Sequence, residues 1–334
     1  MSSRCFISAD WSQLETWLTA HFSGDPVMQQ ELNNQLIGGP KIHALNAALI
    51  YGIDPTDAKK HVIDLSGQEK TAYDGGKRLC HAFNYGMGLK KLAKTFWITE
   101  SRAGEILELL SDKYRKVVEW RTNLADEVFG LNEYACPNAC GYSKIRESGA
   151  CPNCSTKRWP IRLRWVGQLQ PATRMLYTPF GRRRLYLGRR GEGANAVASQ
   201  LPQSSGASLW YRSLLRLRGW DFYDDYPWAG PPSRGSLWSP RLSAYGELYA
   251  PVETFVATGT YDSYLIETTT DEAEEVLEWT LHTMEQRWPE LGHKRFPAEG
   301  GIGYNWGKHD EARNSAGLDE STTRVPFTSS NPYV

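Results

Sequence analysis

An α+β fold is predicted from three observations. The N-terminus carries a short apolar strand that runs into a helix, a strand-turn-strand pattern lies near residue 260, and helical periodicity dominates the stretch between residues 71 and 129. The apolar run Cys5-Phe6-Ile7 reads as the buried strand, and Asp10 stands where it gives way to the helix. Ser12 with Glu15 fits a capping box, which predicts a helix from Ser12 to about His21, closed by Gly24-Asp25-Pro26. A carboxylate at a strand end beside a helix N-terminus suits the holding of a metal and a phosphate. It equally suits an aspartate that merely ends a strand.

The chain's 334 residues, 40% hydrophobic and 12% aromatic, suffice for a sizeable core. No apolar run approaches the roughly 18 residues of a membrane span, and no basic segment with a following hydrophobic stretch marks a signal peptide. A cytoplasmic protein without membrane contact is predicted, in the host cytoplasm if the source is viral. Lys and Arg together number 38, and Asp and Glu also 38, which excludes a uniformly basic surface, so charge has to be read locally. Four of six cysteines fall close together, as Cys136, Cys140, Cys151 and Cys154. Without an export signal, the spacing C-x3-C-x10-C-x2-C predicts thiolate ligands of one structural Zn2+, not disulfides. Cys5 and Cys80 read as small core residues.

In order along the chain, Val27–Leu36 predicts a helix, Ile37-Gly38-Gly39-Pro40 a break, and the run after His43 an apolar helix stopped by Gly52. Within residues 71–96, Lys77, His81 and Tyr85 recur every four residues, which places a cation, an imidazole and a phenol on one side of a helix. Such a face suits a ligand with phosphates at one end and rings at the other. Gly75 and Gly76 each cost about 1 kcal/mol in a helix interior, so the helix is expected to start late in this run, with Asp74 as N-cap and Lys77 in the first turn. Residues 101–129 carry two helical patterns separated near Lys113-Tyr114.

The basic residues around the cysteines, among them Lys144, Arg158, Arg162 and Arg164, fit nucleic-acid or partner contact, or a solvated basic loop. Five arginines crowd the end of residues 174–190, Arg182, Arg183 and Arg184 among them, which reads as a phosphate-backbone contact. Residues 191–217 form a helical run. Residues 221–249 read as a surface insertion. Two strand-like runs, 254–257 and 264–268, flank a turn with Tyr261-Asp262-Ser263, where Asp262 is either a turn former or a ligand. A helix over 271–288 and a polar tail from His309 complete the chain.

The segment Asp10-Trp11-Ser12-Gln13-Leu14-Glu15 resembles the D-Y-S-Q-I-E motif of the family A (DNA polymerase I type) DNA polymerases, and AHFSGD resembles the family's A-H-L-S-G-D. The fingers pattern K-x7-Y-G recurs from Lys77, and its K-R-x-x-H-x-x-N-Y-G form is close to bacteriophage members. F-G-R-R-R, the H-D-S-like turn at Asp262 and the closing G-I-G-x-x-W follow in the family's order. The resemblance covers roughly residues 5–308. It implies a right-hand palm built on an antiparallel sheet (1–36 and 161–308, with an insertion at 221–250), helical fingers (37–133), a zinc-ribbon-like insert (134–160) and a flexible tail (309–334).

The activity it implies is template-directed addition of dNTPs to a primer 3′ end by a two-metal-ion mechanism on primer-template DNA. Asp10, Asp262 and the carbonyl of Trp11 would hold two Mg2+ or Mn2+. Trp11, Glu15, Lys77, His81 and Tyr85 would line the nucleotide, with Glu15 also filling the space of a ribose 2′-OH. Gly86, Arg182, Arg183, Arg184 and Gln203 would touch DNA. The family's arginine four residues before Lys77 is here Tyr73, which leaves the first-turn amides or Lys70 to hold phosphate. Since family members place a thumb, and commonly a 3′–5′ exonuclease, before the first motif, a second subunit supplying them is expected. The rival expectation is a non-catalytic zinc-dependent nucleic-acid-binding or replication-scaffold protein derived from a polymerase.

Overall fold

A computed structural model of the chain describes residues 3–64, 68–145, 149–156, 158–217, 255–260, 262–305, 307, 311 and 314–319. The expected insertion at 221–250 and most of the expected tail lie outside them. In chain order the elements are β1 (Arg4–Trp11), α1 (Leu14–Ser23), α2 (Pro26–Leu36), α3 (Ile42–Tyr51), β2 (Val62–Asp64), β3 (Glu69–Thr71), α4 (Ala72–Asn84), α5 (Leu89–Phe96), α6 (Glu100–Lys113), α7 (Arg115–Phe129), β4 (Leu131–Ala135), β5 (Ser143–Ile145), β6 (Arg164–Gln170), β7 (Met175–Tyr177), β8 (Arg183–Leu185), α8 (Arg190–Leu217), β9 (Phe255–Thr260), β10 (Ser263–Thr269), α9 (Ala273–Met284) and β11 (Ala298–Gly303). They fall into two compact units. One comprises Met1–Leu18, Leu36–Gly39 and Gln203–Val334, the other Thr19–Gln35 and Pro40–Pro202.

The first unit is built on a four-stranded antiparallel sheet in the order β11-β1-β10-β9. Strand β1 alternates half-buried and buried residues along its whole length, as a strand with one face on the core must. Its inward residues Cys5, Ile7, Ala9 and Trp11 are buried, and α9 packs on β1 and β11 with Val276, Leu277, Leu281 and Met284. Period-2 patterning of this kind fixes register, because a slip of one residue would turn Trp11 out and Asp10 in. Asp10 therefore lies within the strand, on the face away from the core. Helix α1 begins at Leu14 and not at the expected Ser12, since Gln13 takes a left-handed φ of 61° and breaks the helical path. Ser12 is thus not its N-cap; the Ser12 amide donates instead to the Pro297 carbonyl at 2.8 Å.

In the second unit, α3 and α4 pack closely, and small two-stranded (β2-β3, β7-β8) and three-stranded (β5-β4-β6) sheets carry the connections. Gly24 with φ 62° and Asp25 close α1 as expected, and Asp25 does more than close it. Its Oδ1 accepts from the Val27 and Met28 amides at 3.1 and 2.9 Å, and its Oδ2 accepts from the Lys116 amide at 3.0 Å. One buried carboxylate thus satisfies the orphan donors of two helix N-termini, α2 and α7. The expected break near Lys113-Tyr114 is Tyr114 itself, fully buried between α6 and α7, with its hydroxyl donating to Glu31 at 2.5 Å.

The start of α4 departs from expectation. Thr71 is the N-cap and Asp74 stands at the third helical position, in a capping box with Asp74 N to Thr71 Oγ1 at 3.2 Å and Thr71 N to Asp74 Oδ2 at 3.0 Å. Lys77 is accordingly in the second turn, and Gly75 and Gly76 are interior and buried. Their presence follows from packing. A Cβ on Gly76 would lie 1.9 Å from the His43 carbonyl oxygen, so only glycine lets α4 approach α3 this closely. The local propensity cost that argued for a later start is outweighed by this contact.

Candidate active site

Two segments distant in sequence, each bearing an aspartate, meet in the first unit. The Trp11 amide donates to the Asp262 carbonyl at 3.1 Å, and Asp10 is in register with Ser263 across β1 and β10. Both aspartates are half-buried, and Oδ1 of Asp10 is withdrawn from solvent. On the other side of β1, Asp10 is in register with Glu299 of β11. Residues directly opposite on antiparallel strands share a face with Cβ atoms about 5 Å apart, so Asp10, Ser263 and Glu299 form one row across three strands. Glu299 was not singled out in the sequence, because cross-strand register is invisible there.

The hairpin that presents Asp262 is fixed from beneath by aromatics. Trp210 stacks on Tyr264 (5.5 Å, 15°) and donates its indole N–H to the Ser263 carbonyl at 3.1 Å, while the Tyr264 hydroxyl lies 2.6 Å from Ser213 Oγ. Trp11 is buried with its indole donating to the Met284 carbonyl at 3.2 Å, so its side chain faces the core and only its main chain is offered to a ligand. Glu15 is half-buried in the first turn of α1. Two aspartates and a main-chain carbonyl are hard oxygen donors, the set that suits magnesium or manganese.

In the second unit, α4 does carry Lys77, His81 and Tyr85 on one side. Lys77 is exposed, His81 and Tyr85 are half-buried, and their rings lie 6.2 Å apart. Behind them His43 is 2% exposed, 5.7 Å edge-on from Tyr73 and 6.1 Å from His81. Burial first, then the charges of His81 and Lys77, hold its pKa down at about 3, so it is a neutral packing residue at physiological pH. The first turn of α4 is occupied by the Asp74 carboxylate, which removes the expectation that its amides receive phosphate. A cation does stand where the family arginine is missing: Lys59 Nζ lies over the Tyr73 ring, 5.7 Å from its centroid. Lys70 is exposed on β3.

Tyr85 caps α4, and Gly86 follows with φ 70°, where a Cβ would meet Asn195 Oδ1 at 2.7 Å. The arginine-rich run divides by role. Arg190 of α8 pairs with Asp126 of α7 at 2.5 Å, Arg174 donates to the Gly188 carbonyl across the base of the hairpin β7-β8, and Arg184 lies over Tyr186 and bonds Gln200 of α8, so these three are used in holding the hairpin and α8 together. Arg182 and Arg183 are exposed at the hairpin's tip. Gln203 is exposed on α8, next to Pro202.

The four cysteines do converge. Their sulfurs all lie within 4.8 Å of one another, with Cys140 and Cys151 Sγ 3.5 Å apart, close to the edge of about 3.8 Å expected for four thiolates 2.3 Å from zinc. A hydrogen bond from the Tyr142 amide draws the Cys140 thiol down to about 7, which favours its thiolate. The residues fit a tetrahedral thiophilic metal.

A family model described as DNA polymerase family A matches residues 1–133. DNA polymerase I of Helicobacter pylori strain J99 / ATCC 700824 is 26% identical over 124 residues, and that of strain ATCC 700392 / 26695 is 25% identical over 124 residues. Each alignment takes in 37% of this chain and 12% of the curated relative, so the chain spans only a small part of those proteins' length. Among solved structures, the POL domain of Pol1 from M. smegmatis, in complex with DNA primer-template and dNTP, matches with a TM-score of 0.56 at 16% identity, over 91% of this chain and 40% of that one. Among the described residues no helix is long and apolar enough to cross a membrane. The fold resembles that of a polymerase domain, and the sequence likeness to family A lies in the segment that holds Asp10, Glu15 and Lys77.

Proposed function

We propose that the chain is the palm and fingers of a template-directed DNA polymerase that adds dNTPs to a primer 3′ end. The observation that supports this reading is that β1 brings Asp10 into register with Ser263, the residue next to Asp262 of the β9-β10 turn, in a fold that resembles a polymerase domain. Asp10, Asp262 and the Trp11 carbonyl would hold two Mg2+ or Mn2+, which when bound supply activation of the primer 3′ oxygen and neutralisation of the leaving pyrophosphate. The chain's own task is then alignment. The core-anchored sheet fixes the carboxylates, and the Trp210–Tyr264 stack keeps the turn from moving away.

Lys77 binds the triphosphate, with Lys59 beside Tyr73 as the second cation, and His81 and Tyr85 pack on the nucleotide. Glu15 occludes the 2′ position. Gly86, Arg182, Arg183 and Gln203 contact primer-template, and Arg184 shapes the hairpin. Cys136, Cys140, Cys151 and Cys154 hold one structural Zn2+. Primer extension by the purified chain with Mg2+ and dNTPs tests the reading: template-dependent addition abolished by EDTA is expected. DNA binding without any addition, in Mg2+ or Mn2+, would favour the non-catalytic scaffold.

A further inference from the structure

The cysteine module hides little of its own apolar surface. Strand β5 is exposed throughout, and five of the seven residues of β6 are exposed. The buried cluster of Cys136, Cys151 and Leu163, with Tyr134, Tyr142, Cys154 and Ile161 packed on it, holds the module together from one end. Two tryptophans are left outside: Trp159 at 69% exposure and Trp165 at 55%. Exposed aromatics of this size on so small a module call for a ligand.

The main chain of the first and the ring of the second are held in place without one. Trp159 closes a turn in which the Thr156 amide donates to the Trp159 carbonyl at 3.0 Å and the Trp159 amide to Thr156 Oγ1 at 3.0 Å. The Trp165 indole N–H donates to Asn132 Oδ1 at 3.3 Å, which anchors one edge of the ring. The charge around them is one-sided. Arg158, Arg162 and Arg164 are exposed and interleave with the tryptophans. Residues 136–166 hold six basic residues and one acidic one, Glu147, in a chain whose charges balance as a whole. Four thiolates around Zn2+ take back two of those charges and leave the module basic.

We propose that this module binds single-stranded nucleic acid, with bases stacked on Trp159 and Trp165 and phosphates met by Arg158, Arg162 and Arg164. A single strand is the occupant that fits both features, since its unpaired bases offer the faces a duplex conceals and its backbone supplies the negative charge. The site goes beyond nucleotide addition: a chain with no polymerase activity would still bind there, so the two readings fail separately.

The test uses the full zinc-bound chain and a 12-nucleotide dT strand carrying 5-iodouracil, irradiated and mapped by mass spectrometry. Crosslinks at Trp159 or Trp165 are expected, and crosslinks confined to other residues would overturn the proposal. Anisotropy titrations with unmodified dT12 supply the affinity. W159A/W165A should bind at least about fivefold more weakly, while W159F/W165F, which keeps two π faces, stays within about twofold of the parent and both retain one zinc. R158Q/R162Q/R164Q should flatten the salt dependence by about two units of slope. A loss under fivefold for the alanine pair, an equal loss for the phenylalanine pair, an equal loss on a blunt 12-base-pair duplex, or an unchanged salt slope would each overturn it.

Discussion

Substituting Gly76 by alanine should damage α4 although alanine is the better helix former. The new Cβ would sit 1.9 Å from the His43 carbonyl oxygen and 2.8 Å from the Ala47 nitrogen, and both are backbone atoms of α3 that cannot rotate aside. Ordinary contact begins near 3.4 Å, so the two helices must separate by about 1.5 Å or distort. Overpacking of this kind costs roughly 1–3 kcal/mol or more, and the upper end applies where backbone meets backbone. The gain from replacing an interior glycine is only about 1 kcal/mol. A net loss of about 2 kcal/mol is therefore predicted for Gly76→Ala in urea unfolding. Gly191→Ala in α8, where a Cβ meets nothing within 4 Å, should be neutral or stabilising by up to about 1 kcal/mol. Since α4 carries Lys77 and His81, any extension activity of Gly76→Ala should show a raised KM for dNTP. A Gly76→Ala protein as stable as the parent would refute the packing account of this glycine.

Asp25→Ala should cost about 2–4 kcal/mol, because it strips caps from α2 and α7 at once and leaves a buried amide unmet; urea unfolding measures it, and a loss below about 1 kcal/mol would contradict the shared cap. His43 has a folded-state pKa of about 3 against an ordinary 6.5, so between these values the unfolded chain takes up a proton that the folded chain refuses. Its contribution to stability is complete above pH 6.5 and should fall as pH drops through this window, by on the order of 1 kcal/mol per pH unit, with a shallower decline in His43→Asn. Lys59→Ala should raise the KM for dNTP severalfold with little change in kcat if Lys59 supplies the second phosphate-binding cation, and an unchanged KM would remove it from that role.

Local signals made much of the fold legible. The Tyr114 break between α6 and α7, the Gly52 stop after α3 and the strands flanking Asp262 all follow from periodicity and turn chemistry within a few residues. Expectations departed where tertiary contact overrode a local rule. Glycines at 75 and 76 argued for a later start of α4, a local cost that its packing against α3 outweighs, and Ser12 with Glu15 satisfied a capping pattern that the left-handed Gln13 displaces. Asp25 read as the end of one helix because its second role reaches Lys116. Composition marked the cysteine module as basic, but the exposure of Trp159 and Trp165 depends on a fold that leaves five of the seven residues of β6 exposed.

The central claim is that Asp10 and Asp262 jointly hold the metal ions of nucleotide addition, and primer extension by Asp10→Asn and Asp262→Asn tests it most directly. Asp10 lies on the face of β1 away from the core and Asp262 is half-buried in the turn before β10, so the variants should fold and bind primer-template as the parent does. Each should lose nucleotide addition by at least about a thousandfold. Folded variants that bind DNA and extend a primer within tenfold of the parent rate would contradict it.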